Sequence, residues 1–230
     1  MKPYYEQDGI TIYHADCLEV LPTLSQVGLI VTDPPYTFGL SSTMQRASKA
    51  GGWHDLMNSA RFLTDVLVQC KKSLCGNGAA WVFNSWRSFP VMARASYEAD
   101  WPILSLLIWD KQGIGAAGTV GLRPTYEASC LFTLGNYRIS NRSTPDIWRE
   151  PWHTIKPSGH PAEKPVALLR RMIHAGTFVG SVVDPFMGSG STLVAAKEAG
   201  HRAVGIELEE RWCEVAARRL EQQVLGLGAA

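Results

Sequence analysis

The sequence has few features of a membrane, secreted or metal-binding protein. No stretch of its 230 residues approaches the roughly 18 uncharged apolar residues of a membrane helix, and MKPYYEQDG at the N-terminus does not resemble a secretion signal. Its five cysteines form no CxxC pair, and its six histidines form no HxH or HxxxH pair. We therefore expect a cytoplasmic protein with reduced, mostly buried cysteines, no metal and no membrane partner.

The net charge is also small. At +1 it gives no overall attraction to a polyanion, so contact with nucleic acid requires local basic patches. The hydrophobic fraction of 46% is enough for a substantial core. We predict a single domain over residues 1–230.

Short apolar runs alternate with segments of helical periodicity. This alternation predicts an α/β fold with a mostly parallel sheet and helices on both faces. The predicted strands are 28–32, 79–83, 104–109, 128–134, 180–183 and 203–206, and the predicted helices are 60–70, 193–199 and 209–224. Three stretches, 37–53, 112–121 and 138–163, read as long loops, which are usually functional in a compact domain.

A glycine-rich turn follows the predicted strand 180–183. In Asp184-Pro185-Phe186-Met187-Gly188-Ser189-Gly190-Ser191-Thr192, the glycines let a ligand approach the backbone, and the next helix offers free N–H groups. Glu207 ends the following strand, where a carboxylate can bind ribose hydroxyls. A nucleoside ligand is indicated, although a structural turn is the alternative. NAD is disfavoured because Leu193 replaces the third glycine, and no GK[ST] phosphate loop follows.

A second motif, Asp33-Pro34-Pro35-Tyr36, ends the predicted strand 28–32. The prolines stiffen the turn and lack N–H donors, so the Asp33 carboxylate and the Pro34 carbonyl are fixed acceptors. Two acceptors suit the amino group of a base, because they stabilise positive charge that develops on its nitrogen. Tyr36 is placed to stack on a base that is flipped out of the duplex. A proline-rich turn without chemistry is the alternative.

Together the two motifs resemble those of the amino-group DNA methyltransferases, which combine a DPPY loop with an FxGxG loop. The DPPY loop comes first here, an order similar to that of the permuted β-type members. Supporting resemblances are ADCLEVL at 15–21, WDK at 109–111, YE at 126–127, and HPAEKP at 160–165, where Ala162-Glu163 stands in place of the family's TQ. No cysteine follows a proline, which argues against carbon-5 methylation of cytosine.

The resemblance implies a Rossmann-like, seven-stranded class I methyltransferase fold, S-adenosylmethionine as cofactor, and direct in-line transfer of the methyl group to a flipped adenine N6 in double-stranded DNA. It implies catalytic roles for Asp33, Pro34, Pro35 and Tyr36. The implied cofactor-binding residues are Asp16, Lys164, Asp184, Phe186, Gly188, Ser189, Gly190, Ser191, Thr192 and Glu207. Asp16 can instead form a helix capping box with Glu19, or do both.

DNA recognition is expected from the long loops. The candidate contacts form one patch beside the catalytic loop, with Arg46 and Lys49, and one in the later loop, with Arg138, Arg142, Arg149 and Lys156. The loops are small for a recognition domain, so we expect a short site, a homodimer or a partner protein. Restriction-modification, orphan and phage roles stay open.

Three other functions remain as alternatives. The first is methylation of cytosine N4, although Asp at the first motif position favours adenine. The second is methylation of RNA or of a protein amide, for which Asn would be expected in place of Asp33. The third is a catalytically silent DNA-binding homologue.

Overall fold

A computed structural model describes residues 1–35, 52–113, 122–152, 158–160 and 162–226, with side chains outside 52–59 and 223–226. The strands of these residues form one sheet in the order β1-β2-β9-β8-β3-β4-β6-β5-β7. They are β1 (Tyr5–Gln7), β2 (Ile10–His14), β3 (Val27–Thr32), β4 (Leu74–Asn84), β5 (Ser105–Asp110), β6 (Tyr126–Thr133), β7 (Ile147–Arg149), β8 (Ser181–Asp184) and β9 (Ala203–Glu207). The helices are α1 (Cys17–Val20), α2 (Gly52–Ser73), α3 (Phe89–Glu98), α4 (Val166–Ile173), α5 (Ser191–Glu198) and α6 (Glu210–Gly226).

The sheet is mostly parallel, as predicted. Strands β2, β9, β8, β3 and β4 pair in parallel, and β6 runs antiparallel between β4 and β5. We call the side where the parallel strands end the carboxyl edge, and the opposite side the amino edge. Because β6 is reversed, its first residues, Tyr126 and Glu127, lie at the carboxyl edge.

The expected count of seven strands is wrong, because the described residues form nine. Both extra strands are three residues long and lie at the two ends of the sheet. β1 joins β2 through Asp8-Gly9, whose φ angles of 52° and 79° match a type I′ hairpin turn. β7 pairs with β5 inside the stretch 138–163, which was expected to be a loop. Strands this short have no recognisable periodicity of their own.

Helices cover both faces of the sheet, as predicted. On β3, Leu29 and Val31 face the core under α4, α5 and α6, whereas Ile30 faces the core under α1, α2 and α3. All three side chains are fully buried, which explains why this central strand reads as a continuous apolar run. Four of the five cysteines are buried, as expected. Within the described residues, no helix is long and apolar enough to cross a membrane.

The connections place a crevice between β8 and β3. From β8 the chain continues through α5 to β9 on one side, and from β3 it continues to β4 on the other. Open α/β sheets bind ligands at such a switch point, beyond the carboxyl ends of the strands. Both sequence motifs lie at this position.

Candidate active site

A cavity of about 80 Å³ lies at the carboxyl edge of the sheet. Its walls include Asp33 from the end of β3, Phe83 from β4, and Asp184 from the end of β8. They also include Gly188 from the glycine loop and Lys164 from the segment before α4. The DPPY loop and the glycine loop, which lie far apart in the sequence, therefore open onto the same cavity.

Asp184 ties the strand ends to the glycine loop. Its Oδ1 accepts hydrogen bonds from Thr32 Oγ1 at 2.7 Å and from the N–H of Phe186 at 3.1 Å, and its Oδ2 accepts one from Thr192 Oγ1 at 2.6 Å. Burial raises the pKa of Asp184 to about 6, although these hydrogen bonds oppose the increase. Asp184 thus fixes β3, the loop and the start of α5 relative to one another.

The glycine loop requires glycine at two positions. Gly188 and Gly190 have φ angles of 50° and 80°, which L side chains rarely adopt. A Cβ atom on Gly190 would lie 2.7 Å from the Cβ of Ala216 in α6. The N–H of Gly188 donates to Glu207 Oε2 at 3.0 Å, and Glu207 Oε1 accepts from the N–H of Glu209 at 2.8 Å. Glu207 therefore connects the glycine loop to the beginning of α6.

Residues 158–160 and 162–164 pack against the glycine loop. The His160 ring meets Trp212 of α6 edge to face, with centroids 4.4 Å apart, and a Cβ on Gly188 would lie 3.1 Å from His160 Nε2. Glu163, one of the two positions that depart from the family's pattern, forms a 3.0 Å ion pair with Arg219 of α6. Arg219 also donates to the carbonyl oxygen of Ser189 at 2.8 Å. The departure at Glu163 therefore provides a link between this segment, α6 and the glycine loop.

Lys164 is buried against Asp33 of the DPPY motif. Its ammonium forms ion pairs with Asp33 and with Glu127 Oε2, the latter at 3.2 Å, and Lys111 pairs with the other oxygen of Glu127. Burial opposes the charged form, but the two carboxylates raise the pKa of Lys164 above its usual value. Burial likewise opposes ionisation of Glu127, yet Lys164 and Lys111 lower its pKa to about 2. Lys164, predicted to bind the cofactor, makes its described ion pairs with carboxylates of the catalytic side.

The remaining predicted site residues have different surroundings. Asp16 is the N-cap of α1, its Oδ1 accepting from the N–H of Leu18 at 2.9 Å, whereas the capping box with Glu19 stays a prediction. Pro34 is buried and Pro35 is exposed. Tyr36 lies outside the described residues, as do Arg46, Lys49 and Lys156. The described residues contain no group of three or more His, Cys, Asp or Glu side chains that could hold a metal ion.

The arginines of the later loop do not form one patch. Arg138 is exposed at the amino edge, where the adjacent Ile139 bridges to Gly176 ahead of β8. Arg149 is exposed at the carboxyl edge, at the end of β7, with its Nε 3.6 Å from Asp110 Oδ2. Arg142 is exposed on the return between them. The reversed direction of β6, which sequence periodicity does not reveal, separates Arg138 from the cavity.

Several lining residues were not predicted. Phe83, Leu169 and Met187 line the cavity, but as apolar residues they have no signal that separates them from the core. His160 and Glu163 belong to the HPAEKP segment and could have been selected from it.

Trp86 and Arg87, which were also not predicted, follow β4 at the carboxyl edge. Both side chains are exposed, and the guanidinium carbon of Arg87 lies 5.2 Å from the ring centroid of Trp86.

Sequence comparison identifies the family. The model of the N6/N4 DNA methylase family matches residues 27–218, which include both motifs and all the cavity-lining residues named above. The chain belongs to this DNA methylase family. YubD of Escherichia coli, described as a methylase, is 30% identical over 94% of this chain and 92% of its own length. The type II methyltransferase M.ScaI of Streptomyces caespitosus is 26% identical over 98% of this chain and 86% of its own length.

Solved structures of DNA methylases have the same fold. TTHA0409 from Thermus thermophilus, crystallised with S-adenosyl-L-methionine, gives a TM-score of 0.68 at 25% identity and covers 93% of each chain. The cytosine-N4-specific PvuII DNA methyltransferase gives a TM-score of 0.74 at 17% identity, over 94% of this chain and 88% of that one. The second likeness, at its low identity, is evidence for the fold alone. The predicted class I methyltransferase fold is therefore confirmed.

Proposed function

We propose that this DNA methylase transfers a methyl group from S-adenosylmethionine to N6 of adenine in double-stranded DNA. The observation that carries the proposal is the shared cavity of Asp33 and Gly188. Methyl transfer without an enzyme-bound intermediate requires donor and acceptor to lie side by side, and this is the position in which the sheet holds the two loops. Asp rather than Ser at position 33 supports adenine as the target base.

The carboxyl edge has the chemistry expected of a site for S-adenosylmethionine. Asp184, Glu207 and Asp16 follow or end the adjacent strands β8, β9 and β2, so three acidic residues lie along this part of the carboxyl edge. Carboxylates at this edge can accept hydrogen bonds from the ribose hydroxyls of a nucleoside and attract positive charge elsewhere on the ligand. The glycine loop 184–192 would hold the cofactor, with Glu207 at the ribose. When bound, S-adenosylmethionine supplies a methyl group activated by a sulfonium.

The catalytic side is built to accept hydrogen bonds. Asp33 offers a carboxylate and Pro34 a carbonyl, and neither proline has an N–H that would repel an amino group. In the proposed mechanism these two oxygens accept hydrogen bonds from the target amino group and stabilise the positive charge that develops on its nitrogen as the N–CH3 bond forms and the S–CH3 bond breaks. The nitrogen then becomes neutral again by losing one amino proton to solvent. Tyr36 stacks on the flipped base.

The DNA is proposed to lie along the carboxyl edge, because the flipped base must reach Asp33. Of the predicted basic residues that the structure describes, Arg149 is at this edge, and Arg87 beside Trp86 joins it. Arg46, Lys49, Arg142 and Lys156 remain proposed phosphate contacts from the neighbouring loops. The position of Arg138 at the amino edge gives it no support as a contact to the same DNA segment. A homodimer is proposed as the source of further DNA-binding surface.

The decisive experiment is incubation of the protein with methyl-labelled S-adenosylmethionine and plasmid DNA, followed by nucleoside mass spectrometry. The expected product is N6-methyladenine. N4-methylcytosine would instead identify the cytosine enzyme, and label in RNA or protein alone would reject DNA as the substrate. No label in any substrate, with the cofactor bound, would identify a silent homologue. Sequencing of the methylated positions then tests the expectation of a short site.

A further inference from the structure

A row of alternating charges crosses the carboxyl edge beside the catalytic motif. It consists of Asp33 at the end of β3, Lys164 before α4, Glu127 at the start of β6 and Lys111 just after β5. The two carboxylates and two ammonium groups carry no net charge. We call these four residues the charge row.

Lys164 is the central member of this row. Its side chain is only 9% exposed and contacts a carboxylate on either side. Its Nζ lies 5.0 Å from the ring centroid of Phe83 on β4. Because β4 lies between β3, which ends before Asp33, and β6, which carries Glu127, the ammonium contacts both carboxylates from above β4. A buried ammonium is stable only when it is paired, and this one has two partners. Its position is therefore fixed by the fold without any ligand.

The ion pair with Lys164 in turn favours the ionised form of Asp33. Its side chain is 19% exposed, and the buried Asp184 faces it from the end of β8 as a second negative group. Partial burial and a nearby carboxylate both favour the protonated form of an aspartate. A protonated Asp33 would lose its charge, and with it the strong interaction with a positively charged amino nitrogen. Among the described residues, the charged groups around Asp33 include Lys164 as a cation and Asp184 as an anion, with Glu127 and Lys111 behind Lys164.

We propose that Lys164 is a positioning residue, which orients the Asp33 carboxylate and keeps it ionised for the methyl-transfer reaction. This inference rests on the proposed function and departs from the cofactor-binding role that the family resemblance implies for Lys164. The two roles make different predictions. A cofactor ligand affects the Kd for S-adenosylmethionine, whereas a positioning residue affects the Asp33 carboxyl group and kcat.

The test compares Lys164→Met with Lys164→Arg and the wild type. The carboxyl resonance of Asp33, assigned with Asp33→Asn, is titrated by NMR with 13C-labelled aspartate, a measurement that does not depend on activity. In Lys164→Met the pKa of Asp33 is expected to rise by about 1–3 pH units, because its neighbouring cation is lost. The Kd for S-adenosylmethionine, measured by calorimetry, is expected to stay within about threefold, while kcat falls and increases with pH as Asp33 ionises. Lys164→Arg retains the positive charge and is expected to leave the titration of Asp33 close to that of the wild type.

Lys197→Met is the matched control. Lys197 is also a paired lysine, 14% exposed, with Asp8 at 3.2 Å, but it lies near the far end of α5. Its loss should leave both Asp33 and kcat unchanged. An unchanged pKa of Asp33 in Lys164→Met, together with a weakened Kd, would overturn the proposal. If the wild type fails to methylate DNA, the proposed function fails, and the titration of Asp33 still decides whether Lys164 holds this carboxylate ionised.

Discussion

Replacing Gly190 by alanine tests how closely the glycine loop fits against α6. Gly190 has a φ of 80°, where an L residue costs about 1–2 kcal/mol. The new Cβ would lie 2.7 Å from the Cβ of Ala216 and 3.3 Å from its Cα, a backbone atom that moves only with the helix. Such overpacking costs about 1–3 kcal/mol more. We therefore expect Gly190→Ala to lower the free energy of unfolding by about 2–5 kcal/mol, a large part of the 5–15 kcal/mol typical of a domain.

Gly200→Ala is the matched control for this substitution. Gly200 has a similar φ of 74°, but among the described residues no atom outside its chain neighbours lies within 4 Å of its added Cβ, so only the backbone cost applies. Urea unfolding of both variants isolates the steric part as their difference, expected at about 1–3 kcal/mol. Ala216→Gly removes the opposing Cβ and should recover most of this difference in a double-mutant cycle. Equal destabilisation by Gly190→Ala and Gly200→Ala would refute the predicted contact with α6.

Three further predictions concern the acidic groups. Asp33→Ala should lower kcat at least about 100-fold, because it removes a preorganised acceptor, with the Kd for S-adenosylmethionine nearly unchanged; retained transfer would disprove the mechanism. Glu207→Ala should weaken the cofactor about tenfold or more in calorimetry through loss of a charged acceptor, and an unchanged Kd would exclude this role. Asp184 has its pKa raised to about 6, so the folded state binds the extra proton and stability falls as pH rises. Between pH 4 and 6 the wild type should lose about 2 kcal/mol relative to Asp184→Asn in urea unfolding, and parallel curves would contradict the shift.

Local sequence chemistry predicted the strand-to-loop transitions well. The apolar run 28–32 became β3, and the glycine-rich turn 184–192 became the loop between β8 and α5, because prolines, glycines and β-branched residues act at the level of a few neighbouring residues. The dipeptide Asp8-Gly9 is another local signal of this kind. It is typical of a tight hairpin turn and would have revealed β1. The family resemblance supplied the remaining step, that both loops serve one reaction.

Contacts between distant segments could not be predicted in this way. The ion pair of Lys164 with Asp33 joins residues that no spacing rule connects, and it depends on where the segment before α4 crosses the sheet. The separation of Arg138 from Arg149 depends on strand direction, which alternation of apolar residues does not encode. β7 has only three residues and pairs with β5, a partner that its own sequence does not reveal.

The central position of β3 affects the order in which the protein can assemble during synthesis. β3 pairs with β4, which follows it in the chain, but its other neighbour is β8, and the N-terminal β2 pairs with the still later β9. A nascent chain that has not yet emerged from the ribosome beyond residue 180 therefore exposes one side of an apolar strand, which is open to pairing with other chains. Asp33 of the DPPY motif is translated long before residues 160–192, so the cavity that it lines exists only once those residues have emerged.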